Sequence, residues 1–118
     1  MFRRELESIH SMSKLVESGL VEFDVMKPMV FVSGDVGVMF FDKANYLVER
    51  KLIGFMSQAR LYLNYLRSYY NGARELEGKD RLPMLTEEDR IQVMIGGESE
   101  RVKVVVNAYV KGTHLYII

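Results

Sequence analysis

The polar residues of this sequence that suggest a chemistry recur at a regular spacing in its middle third. They are Arg60, Asn64, Arg67, Asn71 and Arg74. Intervals of three and four residues place them on one face of an α-helix. Guanidinium groups two turns apart can follow a nucleic-acid backbone, and neighbouring tyrosines can stack on bases for about 1–3 kcal/mol each. One hypothesis is therefore a single-stranded DNA or RNA site made of Arg60, Arg67, Arg74 and Tyr70.

The same polar stripe has a simpler interpretation, because a polar arc opposite an apolar face is typical of a surface helix. Arginine is also a good helix former. The chain has 16 basic and 16 acidic residues, so no overall positive field attracts nucleic acid. Residues 43–75 are nevertheless locally basic, with six Lys or Arg against two Glu. We favour a solvated or subunit-contacting face, and nucleic-acid binding is the alternative.

Apolar and aromatic side chains on this helix exceed what one packed face requires. The surplus lies on one flank, at Leu47, Leu61, Tyr65 and Tyr69. Large uncovered apolar patches usually mark partner sites, and two-fold pairing is the commonest way to cover them. The leading hypothesis is a non-enzymatic, homodimeric protein–protein interaction or scaffold module. Leu61, Tyr65 and Tyr69 are its predicted partner-binding residues.

The element that positions both sets of residues is one long predicted helix. Asp42 is a candidate N-cap, and residues 43–74 contain no proline. A continuous helix of this length extends about 45 Å at 1.5 Å per residue. That is long for a chain of 118 residues. We therefore expect either a break near Gly72 or a partner chain alongside.

The segments before this helix change from helical to alternating periodicity. Residues 2–18 form an amphipathic pattern that ends at Gly19, and residues 21–25 alternate as a half-exposed strand. Two apolar runs, residues 29–32 and 36–41, flank a short turn that contains Gly34. These runs predict a hairpin that is covered on both faces.

The last third of the chain predicts a three-stranded meander. Its strands are residues 91–95, 102–110 and 114–118, and glycine-containing turns at 96–99 and 111–113 connect them. Together the patterns predict an α+β fold over residues 1–118, as a single domain. Its mostly antiparallel five- or six-stranded sheet is packed by one long central helix and a short N-terminal helix.

Several functional classes lack the residues they need. The chain has no cysteine and two histidines, and it contains no phosphate-binding loop motif. We therefore predict no enzyme, no cofactor and no metal site. No apolar run approaches the roughly 20 residues that cross a bilayer, and no signal peptide is indicated. A soluble cytoplasmic protein is expected.

The predicted order is a helix, two or three strands, a long helix and three strands. It is similar to the arrangement of roadblock/dynein-light-chain-type domains and, more loosely, of profilin-like folds. The resemblance covers the order of elements over most of the chain, and the extended tyrosine-rich helix departs from those compact domains. The resemblance implies a dimeric scaffold for a small GTPase or a motor protein.

Overall fold

The computed structural model describes residues 2–96 and 102–117, which form three α-helices, a 3₁₀ helix and five strands. The predicted α+β class is confirmed. In chain order the elements are α1 (Phe2–Glu17), β1 (Val21–Asp24), β2 (Met29–Val32), α2 (Gly34–Gly37), the 3₁₀ helix (Val38–Phe40), α3 (Glu49–Leu76), β3 (Ile91–Gly96), β4 (Val102–Lys111) and β5 (His114–Ile117).

The five strands form one sheet in the order β1-β2-β3-β4-β5. All neighbouring strands are antiparallel except β2 and β3, which are parallel and pair Val30 with Val93. Parallel neighbours need a crossover, and α3 lies in that connection. Residues from α1 and α3, including Met12 and Leu63, join Val30 and Val93 in one buried cluster. Helices α1 and α3 therefore cover the same face of the sheet.

Helix α1 ends as its glycine predicts. Gly19 has a φ of +75°, and its N–H donates to the carbonyl of Val16 at 3.0 Å. The N–H of Leu20 donates to the carbonyl of Leu15, also at 3.0 Å. This pair of bonds is the Schellman arrangement, which requires a left-handed residue that glycine adopts without strain. The chain consequently turns directly into β1.

The predicted hairpin between residues 29–32 and 36–41 is wrong. Strand β2 pairs with β1 instead, and residues 34–40 are helical. The N–H of Gly37 donates to the Ser33 carbonyl at 2.8 Å, which closes a helical turn. A side chain at Gly37 would collide with Ile95, and Phe40 packs on Phe55 with ring centroids 5.0 Å apart. An apolar run without periodicity does not distinguish these outcomes.

The predicted start of the long helix at Asp42 is also wrong. Asp42 Oδ1 accepts the N–H groups of Ala44 and Tyr46, both at 2.9 Å, and Asn45 has a φ of +65°. The carboxylate therefore shapes a turn, and α3 begins at Glu49. From there the helix runs unbroken through Gly72 to Leu76, so the break expected near Gly72 is wrong too. Its 28 residues extend about 42 Å.

The C-terminal meander is confirmed. β3 pairs with β4, and β4 with β5, both antiparallel. Val106, Ala108 and Val110 are buried on the predicted inner face of β4. The predicted turn at residues 97–99, the side chains of residues 102–105 and the predicted terminal residue Ile118 lie outside the described part. Within the described residues, no helix is both long enough and apolar enough to span a bilayer.

Candidate functional site

The polar stripe of α3 holds an extended segment of the chain against the helix. This segment, residues 79–86, has no regular secondary structure and is called the strap below. Asn64 donates to the Leu85 carbonyl at 3.0 Å and accepts the Leu85 N–H at 2.7 Å. Asn71 makes the same pair of bonds with Leu82, at 2.9 and 2.6 Å. Each side-chain amide thus pairs with both the N–H and the C=O of one strap residue, as a neighbouring β-strand would.

The spacing of these two asparagines matches an extended chain. Seven helical residues rise about 10.5 Å. The three residues from Leu82 to Leu85 span about 10 Å when extended. Asn64 and Asn71 can therefore bond to two strap residues three positions apart, Leu85 and Leu82, without a bend in the helix or the strap.

Arg67 lies between the two asparagines and is only 4% exposed. Its Nε donates to the Val25 carbonyl at 3.1 Å, and its Nη1 donates to the Pro83 carbonyl at 2.7 Å. One guanidinium thereby connects α3 to both the β1–β2 turn and the strap. Among the described residues it forms no ion pair with a carboxylate. Its burial depends on neutral carbonyls, which accept charge-assisted hydrogen bonds.

Arg74 extends this contact, because its Nε donates to the Asp80 carbonyl at 2.7 Å. Asn64, Arg67, Asn71 and Arg74 form what we call the polar seam. The interpretation of the stripe as a solvated face is wrong for Arg67 and Asn71, which are buried. The helical spacing of the polar seam was visible in the sequence. The packing of the strap on it was not, because residues 79–86 have no periodic pattern of their own.

The residues of the nucleic-acid hypothesis are not presented together. Arg67 is buried, whereas Arg60 and Arg74 are half-buried and Tyr70 is exposed. Phosphate contacts need free N–H donors, and those of Arg67 and Arg74 described above already serve backbone carbonyls. Of the predicted contacts, Arg60 and Tyr70 keep the most freedom to reach a nucleic acid.

The predicted partner-binding residues lie on a different flank of α3. Tyr65 is 49% exposed and Tyr69 is 77% exposed, whereas Leu61 is half-buried. Leu76, seven residues beyond Tyr69, continues the same flank and is 91% exposed. We call Leu61, Tyr65, Tyr69 and Leu76 the tyrosine flank. Sequence analysis missed Leu76, although its helical spacing from Tyr69 was a usable signal.

Aromatic contacts connect this flank to the core. The Tyr65 ring lies 5.9 Å from the Tyr62 ring, which lies 4.9 Å from that of Phe23. Tyr62 is buried, so the series passes from the interior to the surface. Tyr65 therefore stands against a fixed neighbour, and this lowers the entropy that a contact there would lose.

An open groove of about 410 Å³ runs beside the edge strand β1. It is lined by residues 22–26, by Phe31 of β2 and by Tyr70 of α3, and we call it the edge groove. The Tyr70 ring meets the Tyr69 ring edge to face, with centroids 6.2 Å apart. The edge groove and the tyrosine flank are thus neighbouring surfaces. The alternation of residues 21–25 places Glu22 and Asp24 on one strand face, but it does not predict the groove.

The perturbed ionisable groups lie elsewhere. Glu88 accepts a hydrogen bond from Lys111 at 2.9 Å, and this contact raises the pKa of the lysine. Lys79 lies 2.9 Å from Glu77 and lowers the pKa of that carboxyl. Both pairs are exposed, where ion pairs contribute little to stability. Among the described residues there is no group of three or more His, Asp or Glu that could hold a metal ion.

Comparison with protein-family models, curated proteins and solved structures finds no match for this chain. Its structure defines it as an α+β protein in which α1 and α3 cover one face of a five-stranded sheet. No comparison shows the resemblance to roadblock-type domains, which stays a prediction from the order of elements.

Proposed function

We propose that this chain is a non-enzymatic, homodimeric protein–protein interaction module whose contact surface is the tyrosine flank of α3. The observation that supports it most directly is the exposure of Tyr69 and Leu76, at 77% and 91%, in line with Tyr65. Large apolar side chains that are exposed together usually mark a partner surface. Tyrosine is also enriched at interfaces, because its ring packs while its hydroxyl stays hydrated.

The support beneath this flank is rigid, as a binding surface requires. Leu52 and Leu63 of α3 are fully buried, and the polar seam ties the opposite side of the helix to the strap. A helix held on both sides loses little freedom when it meets a partner. The tyrosine flank consequently offers preorganised aromatic anchors of the kind that dominate interface energies.

A second copy of the chain is the partner that this flank suits best. From Tyr65 to Leu76 it extends about 16 Å along a straight helix. Two such helices packed antiparallel about a two-fold axis bring the tyrosines of one copy against those of the other. In that arrangement each exposed ring is covered by an equivalent ring, without a separate complementary surface.

Light scattering at tens of micromolar protein tests the proposal, and the expected mass is twice the chain mass of 13.7 kDa. The double variant Tyr65→Glu, Tyr69→Glu places two buried charges in the contact and is expected to give a monomer. A matched control, Met39→Glu with Tyr46→Glu, changes two residues that are also exposed but lie before α3. The control is expected to remain dimeric. A monomeric wild-type chain, or a dimeric flank variant, contradicts the proposal.

Single-stranded nucleic-acid binding remains the alternative prediction, with less support. Arg67 has both Nε and Nη1 engaged with backbone carbonyls, which leaves Arg60 as the stripe arginine with the fewest contacts. Titration with mixed-sequence oligonucleotides at low salt tests it, because binding through arginines weakens as salt rises. Binding that Arg60→Glu abolishes would favour this alternative over the interaction module.

A further inference from the structure

The edge groove carries a chemistry that the tyrosine flank does not. We propose that it binds the cationic side chain of a lysine or arginine within an extended basic segment of a partner protein. This site is separate from the homodimer contact and does not depend on it.

The charges that line the groove are of one sign. Glu22 and Asp24 both contribute carboxylates, and no lysine, arginine or histidine lines it. Neither carboxylate forms an ion pair with any described residue. The chain as a whole has no net charge, and the buried Arg67 donates to the carbonyl of the lining residue Val25, so the two carboxylates are the more exposed charges at the groove. Carboxylates there complement a cation and disfavour nucleic acid and other anions.

The Asp24 carboxylate is held in place by the chain itself. Its Oδ1 accepts the N–H groups of Met26 and Lys27 at 3.1 and 3.2 Å. These bonds set the conformation of the turn and the direction of the carboxylate together. Lys27 bonds to Asp24 through its backbone N–H, and Lys27 is not among the residues that line the groove. A cation arriving at Asp24 meets a charge that is already oriented.

Phe23, Phe31 and Tyr70 are among the residues that line the groove, and of these Phe31 lies on the same strand face as Glu22. Phe31 lies opposite Glu22 in the β1–β2 ladder, which makes a ring and a carboxylate direct cross-strand neighbours. Phe23 and Tyr70 are each packed against a further tyrosine, at 4.9 and 6.2 Å. Aromatic faces attract ammonium and guanidinium groups. Rings together with carboxylates recognise both the charge and the apolar stem of a basic side chain.

The position of the groove favours a peptide over a free amine. β1 is the first strand of the sheet, so one side of its backbone has no strand partner in the described chain. An extended segment can pair with such an edge while alternate side chains enter adjoining pockets. The open groove of about 410 Å³ lies along this edge, where a side chain of such a segment can enter it.

The test uses a fluorescent hexapeptide with blocked ends that alternates arginine and threonine, titrated with the 118-residue chain at low salt. The comparison peptide replaces each arginine by citrulline, which keeps the shape and removes the charge. We expect fluorescence anisotropy to show binding of the arginine peptide about tenfold tighter, as for the loss of a charge-assisted contact. The difference should shrink as salt rises.

The double variant Glu22→Gln, Asp24→Asn is expected to weaken arginine-peptide binding about tenfold and to leave citrulline-peptide binding unchanged. Asparagine retains the oxygen that accepts from Met26 and Lys27, so the turn should persist. The matched control Glu5→Gln, Glu17→Gln removes two exposed charges from α1 and should leave both peptides unaffected. Tyr70→Leu, on α3, tests the same site without touching the turn and should weaken only the arginine peptide.

Three results would overturn the proposal. They are no binding of the arginine peptide, equal binding of the two peptides, and an equal loss in the α1 control. Equal binding would assign the groove to backbone pairing alone. Tyr69 packs on Tyr70 of the groove, so the flank variant for this comparison is Tyr65→Ala, Leu76→Ala, which should lose the dimer and still bind the arginine peptide. Failure of the groove and failure of the dimer are therefore separable.

Discussion

The two flanks of α3 reverse the usual relation between polarity and burial. On the polar seam, an arginine and an asparagine are almost completely buried. On the tyrosine flank, a tyrosine and a leucine of the same helix are among the most exposed residues described. The difference shows that burial along this helix follows the needs of the backbone packed against it. Side-chain hydrophobicity alone would have given the opposite assignment.

The strap explains the reversal. It is extended but has no β-strand beside it, so its N–H and C=O groups need partners from elsewhere when they are covered. Side-chain amides and guanidinium groups supply both donors and acceptors, whereas a leucine or a tyrosine ring supplies neither. No buried side-chain nitrogen or oxygen in the described part lacks a partner. The buried side-chain atoms of the polar seam therefore all have a hydrogen-bond partner, whereas the tyrosine flank stays exposed.

Among the residues of the polar seam and the tyrosine flank, replacing Arg67 should give the largest effect on stability. Arg67→Met retains the apolar stem but removes the donors to the Val25 and Pro83 carbonyls, leaving two part-buried acceptors unpaired. At about 1–3 kcal/mol for each unsatisfied group, we expect a loss of about 3 kcal/mol in the free energy of unfolding, measured in urea. The control is Arg60→Met, two turns earlier and half-buried, with an expected loss below about 1 kcal/mol. Equal losses in the two variants would mean that the hydrogen bonds of Arg67 to the strap and the β1–β2 turn do not stabilise the fold.

Replacing Asn71 should give an intermediate effect that can be located on the strap. Asn71→Leu keeps the branching of the side chain but removes both hydrogen bonds to Leu82, for an expected loss of about 2 kcal/mol. Hydrogen exchange should show the Leu82 amide losing protection, while the Leu85 amide, which bonds to Asn64, retains more. If both amides stay protected, the strap is held by something other than the side-chain amides.

Replacing Tyr69 should give the smallest effect on stability. Tyr69→Ala is expected to change the free energy of unfolding of the monomer by less than about 0.5 kcal/mol, because the side chain is mostly in water. Tyr62→Ala, seven residues earlier and buried, should cost about 3–5 kcal/mol by opening a cavity. Thermal or urea unfolding at sub-micromolar concentration separates these values from any effect of dimerisation. A large loss in the free energy of unfolding for Tyr69→Ala would mean that this ring stabilises the monomer. It would weaken the contrast between the polar seam and the tyrosine flank.

Elements with a clear period were predictable from the chain alone. The amphipathic repeat of α1 and its terminal glycine placed that helix, and the alternation in residues 102–110 placed β4 and its inner face. A period of 3.6 or 2 is imposed by the geometry of one element, so local sequence carries it. The tyrosine spacing likewise identified Tyr65 and Tyr69 as surplus to the helix's packed face.

Elements without a period were not predictable. Residues 36–41 are almost entirely apolar, and they were predicted as a strand, but contacts with Ile95 and Phe55 favour the helical conformation. Asp42 has the chemistry of a cap, but it is used in a turn that precedes α3. In both cases local preference was weak, and packing against distant residues outweighed it.

The α+β class, the presence of α1 and α3, the C-terminal meander and the helical spacing of the arginines, asparagines and tyrosines follow from local sequence, because each depends on neighbours within a few turns. Which side of α3 is covered does not. The covered side depends on the strap, whose carbonyl groups accept hydrogen bonds from helix residues 11 to 21 positions away in sequence. Because the strap uses its backbone for these bonds, its side-chain types form no pattern that predicts them. Folding of the whole chain therefore decides that the polar seam is buried and the tyrosine flank is exposed.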